Sequence, residues 1–299
     1  MGALARSRYN FNTLMSRSFC LCSSICTGAP SSKSSPSQSC GALPPFYSPI
    51  LPSSKAIQGE VVRLEGDEFW HMTRVLRLGV DSRLELFNGT GGLVEACIHS
   101  IDKTGSYIIA LNESKMLHPQ GAQWHVFSAF GSLKGGRADW LIEKCTELGA
   151  SSVTPLLTER SLNITNNRVE RLHRVILAAV KQCQRLHGMT LKPPMKLHDF
   201  LPMVSQSNLS FLAAAKSPPL VNMLSLSSPP DEGVLIVGPE GDFTEEELKL
   251  LTDAGAILVG LGSCRLRVET ATIALLSALM LWSDAREQET LPLARDHEP

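Results

Sequence analysis

The chain has 299 residues, of which 43% are hydrophobic and 19% charged, with a formal net charge of −1. These values fit a globular protein of about two domains, and they exclude both a disordered chain and a polybasic one that wraps nucleic acid by charge alone. No apolar run approaches the roughly 18 residues that span a bilayer, so no membrane segment is expected.

The charge is unevenly placed. Residues 1–59 contain no Asp or Glu, five basic residues (Arg6, Arg8, Arg17, Lys33, Lys55) and a dense run of Ser. That composition is typical of an organellar transit peptide, and its hydroxylated character fits the chloroplast better than the mitochondrion; the alternative is a non-targeting tail. We assign residues 1–43 to this head. Without the acid-free stretch, 23 basic and 29 acidic residues remain, a formal charge of −6. Contact with nucleic acid then has to come from a local basic patch. Cys20, Cys22, Cys26 and Cys40 lie in the head, while Cys97, Cys145, Cys183 and Cys264 are far apart. With no Cys-x-x-Cys pair and the histidines scattered, neither a disulfide framework nor a metal site is expected, and the compartment reads as reducing.

Ordered sequence is expected from about Phe46. Short strands at 61–64, 83–87, 93–98 and 107–111, separated by turns such as Asn88-Gly89, predict a small barrel over 44–113, with one helix around 67–76. A polar stretch through Pro119 and Gly121 reads as a linker. Over 122–285 strands alternate with helices, the α/β signature. The strands are expected at 124–130, 153–157, 209–214, 234–237 and 257–261. The helices are expected at 138–148, closed by Gly149, at 169–186, from Thr244 to Gly255, and at 268–282. Thr244 with Glu247 forms a capping box. Residues 286–299 read as a disordered tail.

No G-x-G-x-x-G follows the first α/β strand and no P-loop pattern occurs, which disfavours dinucleotide and nucleotide triphosphate binding. Gly89-Thr90-Gly91-Gly92 reads as a hairpin turn. Two glycine turns at strand ends stand out instead: Gly238-Pro239-Glu240-Gly241, and Gly262 leading through Arg267 into the last helix. Beyond the carboxyl ends of parallel strands such turns suit a small-molecule pocket built from main chain, although they also serve as ordinary connections. Glu240 is placed to accept bonds from amides or ribose hydroxyls, or merely to pin its turn. Arg265 and Arg267 precede a helix start that favours anions. Arg74, Arg77, Lys134, Arg137, Arg160 and Arg185 sit at turns and helix ends, where together they form a candidate phosphate-contacting set. Thr158-Glu159-Arg160-Ser161 ends another strand.

Read together, Gly238–Glu247 and Leu261–Ala271 resemble the paired C-terminal motifs of the bacterial 16S ribosomal RNA uridine-N3 methyltransferases (the RsmE family). So do Glu143–Gly149, Thr158–Ser161, Arg74–Arg77 and Glu85–Gly89, in the same order, over about Leu43 to Trp282. Three departures are Lys181 in place of a usual Glu, a divergent stretch at 186–194, and Asp242 in place of a Gly.

The resemblance implies a SPOUT methyltransferase domain with a C-terminal trefoil knot behind a PUA-like RNA-binding barrel, acting as a homodimer on small-subunit ribosomal RNA. It also implies S-adenosylmethionine held by Gly238, Pro239, Glu240, Gly241, Leu261, Gly262, Leu266, Arg267, Glu269, Thr270 and Ala271. Arg267 and Glu159 are the candidate catalytic residues, for charge stabilisation and proton removal. Rival readings are a SPOUT enzyme of another RNA and a ribosome-assembly factor without catalysis.

Overall fold

Strand alternation builds the N-terminal part in the computed structural model, which describes residues 43–52, 61–161 and 164–290. The strands are β1 (Pro45–Tyr47), β2 (Val61–Glu65), β3 (Arg83–Phe87), β4 (Gly92–Ile101), β5 (Gly105–Ala110) and β6 (Lys115–Met116). Along β4 every second residue, Val94, Ala96 and Ile98, is buried, as a half-buried strand requires. The order is β1-β3-β4-β5-β2, with β6 beside β4 and β1 parallel to β3. A bulge between Ile98 and Ser100 bends β4. The described strands thus form an open-ended sheet, with β1 and β2 at its edges, over a core of Phe46, Leu64, Met72, Leu84, Leu86 and Ile108. The helix expected near 67–76 is α1 (Gly66–Trp70), which widens into a π-turn over His71–Val75. The linker holds β6, a strand too short and too exposed to read from the sequence.

The second part is a parallel sheet. It comprises β7 (Gln123–Ser128), β8 (Ser152–Leu157), β9 (Thr190–Leu191), β10 (Met195–Lys196), β11 (Ser210–Ala213), β12 (Glu232–Val237) and β13 (Ile257–Val259). The order is β10-β8-β7-β12-β11-β13, with β9 beside β8, so the five expected strands are joined by two short ones. One face is covered by α2 (Arg137–Glu147), α3 (Asn166–Gln182) and α7 (Val268–Thr290), with α5 (Leu220–Leu226) contributing Leu220 and Leu224 to the same core. The other face is covered by α4 (Leu197–Gln206) and α6 (Glu245–Asp253). The capping box at Thr244 is present, with Glu247 N–H on the Thr244 hydroxyl at 3.2 Å and Thr244 N–H on the Glu247 carboxylate at 3.0 Å.

Several boundaries differ from the sequence reading. Helix α3 stops at Gln182 because Gln184 takes a left-handed conformation (φ 55°), which an L-residue cannot propagate as a right-handed helix. Helix α7 continues past Trp282 to Thr290 through Ala285, Arg286, Glu287 and Gln288, all strong helix formers. Its stretch Val268–Ala285 is long and apolar enough to cross a membrane on length and composition, contrary to the expectation from the sequence. Here Leu275, Leu276 and Leu279 are instead fully buried against the sheet. The tail expected to be disordered over 286–299 is thus helical as far as Thr290; its remainder, 291–299, and the head over 1–42 lie outside the described residues.

The two parts are joined by backbone. The Gly91 N–H donates to the Leu186 carbonyl (2.9 Å), and the Gly188 N–H donates to the Gly89 carbonyl (2.7 Å). The Lys181 ammonium lies 5.0 Å from the centre of the Tyr47 ring. The divergent stretch after Arg185 therefore docks on the Gly89–Gly92 hairpin turn.

Candidate functional site

Three neighbouring parallel strands, β12, β11 and β13, end level with one another: Ala213 is in register with Val237 on one side and Val259 on the other. The segments that leave them enclose a cavity of about 700 Å³, within the size range of small-molecule sites. From β11 come Ala213, Ala214, Ala215 and Lys216; from β12, Gly238, Pro239, Glu240, Asp242 and Phe243; from β13, Leu261 through Val268, with Ala271 of α7 and Leu248 of α6. The segments leaving β11 and β13 are tied together by the Gly260 N–H on the Pro218 carbonyl (2.7 Å) and the Leu220 N–H on the Gly260 carbonyl (3.0 Å). A Cβ at Gly260 would stand 2.5 Å from the Ser217 carbonyl oxygen, so no larger residue fits this crossing. At Gly262 the requirement is different. Its φ of +117° is strained for any side chain, and a Cβ there would meet nothing within 4 Å, because it would project into open space at the pocket wall.

Three arginines hold the Gly238–Asp242 turn, Arg265 from within the lining and Arg160 and Arg137 from outside it. Arg265 donates to the Glu240 carbonyl (2.9 Å) and to the Asp242 carboxylate (3.0 Å). Arg160, at the end of β8, donates to the Gly241 carbonyl (2.7 Å). Arg137, at the start of α2, reaches the Glu240 carboxylate (2.7 Å) and grips both oxygens of Glu269 (2.7 and 2.8 Å). Burial disfavours a charged Glu269, but the bonds and charge of Arg137 outweigh it and hold the carboxyl below its ordinary pKa. Asp242 has φ 58°, a left-handed position where Gly is usual and Asp is among the tolerated residues. That accounts for the departure from the family motif without loss of the turn.

The structure sorts the predicted residues. Gly238, Pro239, Glu240, Leu261, Gly262, Leu266, Arg267 and Ala271 line the cavity. Gly241, Glu269 and Thr270 do not: Gly241 receives Arg160, Glu269 is buried under Arg137, and Thr270 is exposed on the first turn of α7. Glu159 is also off the lining, and it is its backbone N–H that is engaged, by the Glu247 carboxylate at 2.9 Å. Among the presumed phosphate contacts Arg74, Arg77 and Lys134 are exposed. Arg137 and Arg160 instead brace the pocket. Arg185 is turned inward, donating to the Thr146, Ala150 and Gly149 carbonyls (2.7, 3.1 and 3.3 Å) at the end of α2. The wall supplied by Ala213–Lys216 was missed; the signal for it was the carboxyl end of a parallel strand. No cluster of metal-ligating side chains occurs among the described residues.

Comparison with known proteins agrees with this architecture. A family described as RNA methyltransferase domain matches residues 120–280, and one described as RNA methyltransferase PUA domain matches residues 64–111. The ribosomal RNA small subunit methyltransferase E of Rickettsia conorii is 30% identical over 79% of this chain and 96% of its own length. That of Synechocystis is 32% identical over 72% and 71%. A methyltransferase of Legionella pneumophila, solved with its cofactor S-adenosylmethionine bound, superposes with a TM-score of 0.62 at 27% identity, covering 81% of this chain and 98% of its own. With its PUA-like sheet followed by a SPOUT-type methyltransferase sheet, the chain belongs to the ribosomal RNA small subunit methyltransferase E family.

Proposed function

We propose that this chain methylates N3 of a uridine in small-subunit ribosomal RNA, with S-adenosylmethionine as donor, and that it works in an organelle, the chloroplast by preference, as a homodimer. The observation that carries the reading is the cavity at the ends of β12, β11 and β13. Its residues fit the donor. Glycines and alanines line the cavity beside Phe243, Leu248, Leu261 and Leu266, the space at Gly262 is open, Glu240 is an acceptor for hydroxyls, and Lys216 and Arg267 offer cations. The chain leaves β13 at the sheet edge and returns under β12 and β7 as α7, a course that suits the family's knot. Support for the homodimer comes from Trp140 on α2 and Leu281 on α7, exposed side chains on two helices that pack together.

Bound S-adenosylmethionine supplies an electrophilic methyl group on a positively charged sulfur. The task of the protein is to seat the uracil so that N3 faces that methyl in line, a positioning role. As the N3 proton leaves, negative charge builds on the uracil oxygens, and Arg267, exposed at the pocket edge before α7, is the residue assigned to it. Glu240 and Asp242 are engaged by arginines and Glu159 stands off the lining, so the proton is assigned to solvent. The test is incubation of the chain with unmethylated small subunits and the donor, read by nucleoside mass spectrometry. N3-methyluridine is the expected product; methyl on another nucleoside, or none, contradicts the assignment. For the address, a fluorescent fusion of residues 1–43 should enter the chloroplast, and a cytosolic signal would refute targeting.

A further inference from the structure

The helical segment after β2 carries a surface that neither core uses. Trp70, at the end of α1, is 61% exposed; Val75, Leu76 and Val80 are exposed as well. Arg74, one turn beyond Trp70, and Arg77 are exposed too. An indole and three aliphatic side chains on so short a stretch form the kind of patch that marks an interaction site. The backbone is also unusual. The Leu76 N–H reaches back to the His71 carbonyl (3.0 Å) in the π-turn, and Arg77 sits at φ 54°. Both features cost energy and gather at functional sites.

The other side of this segment is anchored. Met72 is fully buried in the first core, the Thr73 hydroxyl donates to the Phe69 carbonyl (2.8 Å), and Glu68 accepts the Tyr47 N–H at 3.4 Å. Tyr47 in turn carries Lys181 of α3 over its ring, so Glu68 ties this anchored side to the joint between the two parts. The nearby carboxylates have other tasks: Glu65 pairs with Arg63, Glu68 faces Tyr47, and Asp67 sits in the first turn of α1, where the helix dipole favours it.

We infer that Trp70, with Arg74 and Arg77, forms a stacking site for an unpaired nucleotide of the RNA substrate. The inference rests on the RNA-methylating function proposed above. An exposed indole on an anchored segment offers a flat face to any base, and single-stranded RNA is bound by such stacking. The two arginines supply the positive charge that flanking phosphates require, which an apolar protein partner would not. The segment also lies within the stretch matched to the RNA methyltransferase PUA domain.

The test uses the full chain with two RNA probes, unmethylated small subunits and a short uridine-rich single strand. Trp70→Ala should weaken binding of both about 5- to 100-fold, the range one stacked base carries, with donor affinity and melting unchanged. Trp70→Phe keeps an aromatic face and should bind within about threefold of wild type. RNA should quench part of the wild-type tryptophan emission, and that part should be missing from Trp70→Phe. Equal RNA affinity of Trp70→Ala and wild type overturns the site, as does a Trp70→Phe variant as weak as Trp70→Ala. A drop in oligomeric mass of Trp70→Ala by light scattering also overturns it, since the patch would then join copies of the chain. If wild type methylates uridine while Trp70→Ala binds normally, only the stacking site fails; if wild type binds neither probe, the proposed function fails with it.

Discussion

Arg185 lies just past α3, where left-handed Gln184 turns the chain back, and its guanidinium spans three carbonyls at the end of α2. The Thr146 carbonyl, in the last turn of α2, also accepts the Gly149 N–H (3.3 Å), while Gly149 and Ala150 follow the helix, so the half-buried guanidinium completes the bonding of the turn that leaves α2. Burial lowers the pKa of Arg185 from its ordinary value, in keeping with an inward-facing role. Arg185→Ala should therefore destabilise the fold by about 1–3 kcal/mol, the cost of stranded acceptors. It should leave the salt dependence of RNA binding intact. Urea unfolding and a salt titration check both; a slope reduced by about 0.7–0.9 would instead mean a lost phosphate contact. Position in the sequence suggested a phosphate ligand for Arg137, Arg160 and Arg185 alike. What decides the matter is a partner 35 to 132 residues away, which local pattern does not encode.

At the scale of elements, the glycine turn after β12 is stable because other elements hold it. Arg137 of α2 links it to the first turn of α7 through Glu240 and Glu269. Glu247 of α6 binds Thr244 with one carboxylate oxygen and the end of β8 with the other. Since folding depresses the pKa of Glu269, its contribution is present above the unfolded carboxylate pKa and is lost as pH falls through the folded value. Between about pH 6 and pH 3, wild type should thus lose more stability than Glu269→Gln, measured by urea unfolding. Parallel pH curves for the two would contradict the clamp. The long amphipathic helices, the capping box and the five main strands were legible from periodicity. Helices α4 and α5 were not: α4 contains Pro202 and follows Lys196, which provides no side-chain cap, and α5 is seven residues long behind Pro219. Each is held by packing, through Phe200 and Val204 in one case and Leu220 and Leu224 in the other.

Across the whole molecule, the order of motifs foretold the two-part architecture, while sheet order and the joint came only from the structure. The backbone bonds of Gly91 and Gly188 between hairpin turn and α3–β9 loop are non-local pairings with no sequence signature. The pocket was half legible. Its two glycine turns stood out, but the third wall at Ala213–Lys216 carries no motif and is found only because β11 lies between β12 and β13. The carboxyl ends of these three strands hold S-adenosylmethionine. Calorimetric titration of the donor into the full chain and into Gly262→Val tests that assignment most directly. A branched side chain at φ +117° strains the backbone that lines the pocket. The prediction is saturable binding by wild type, and a loss of at least about tenfold, or 1.4 kcal/mol, in a variant that keeps its circular dichroism. No saturable binding by wild type, or equal affinity in the folded variant, would contradict it.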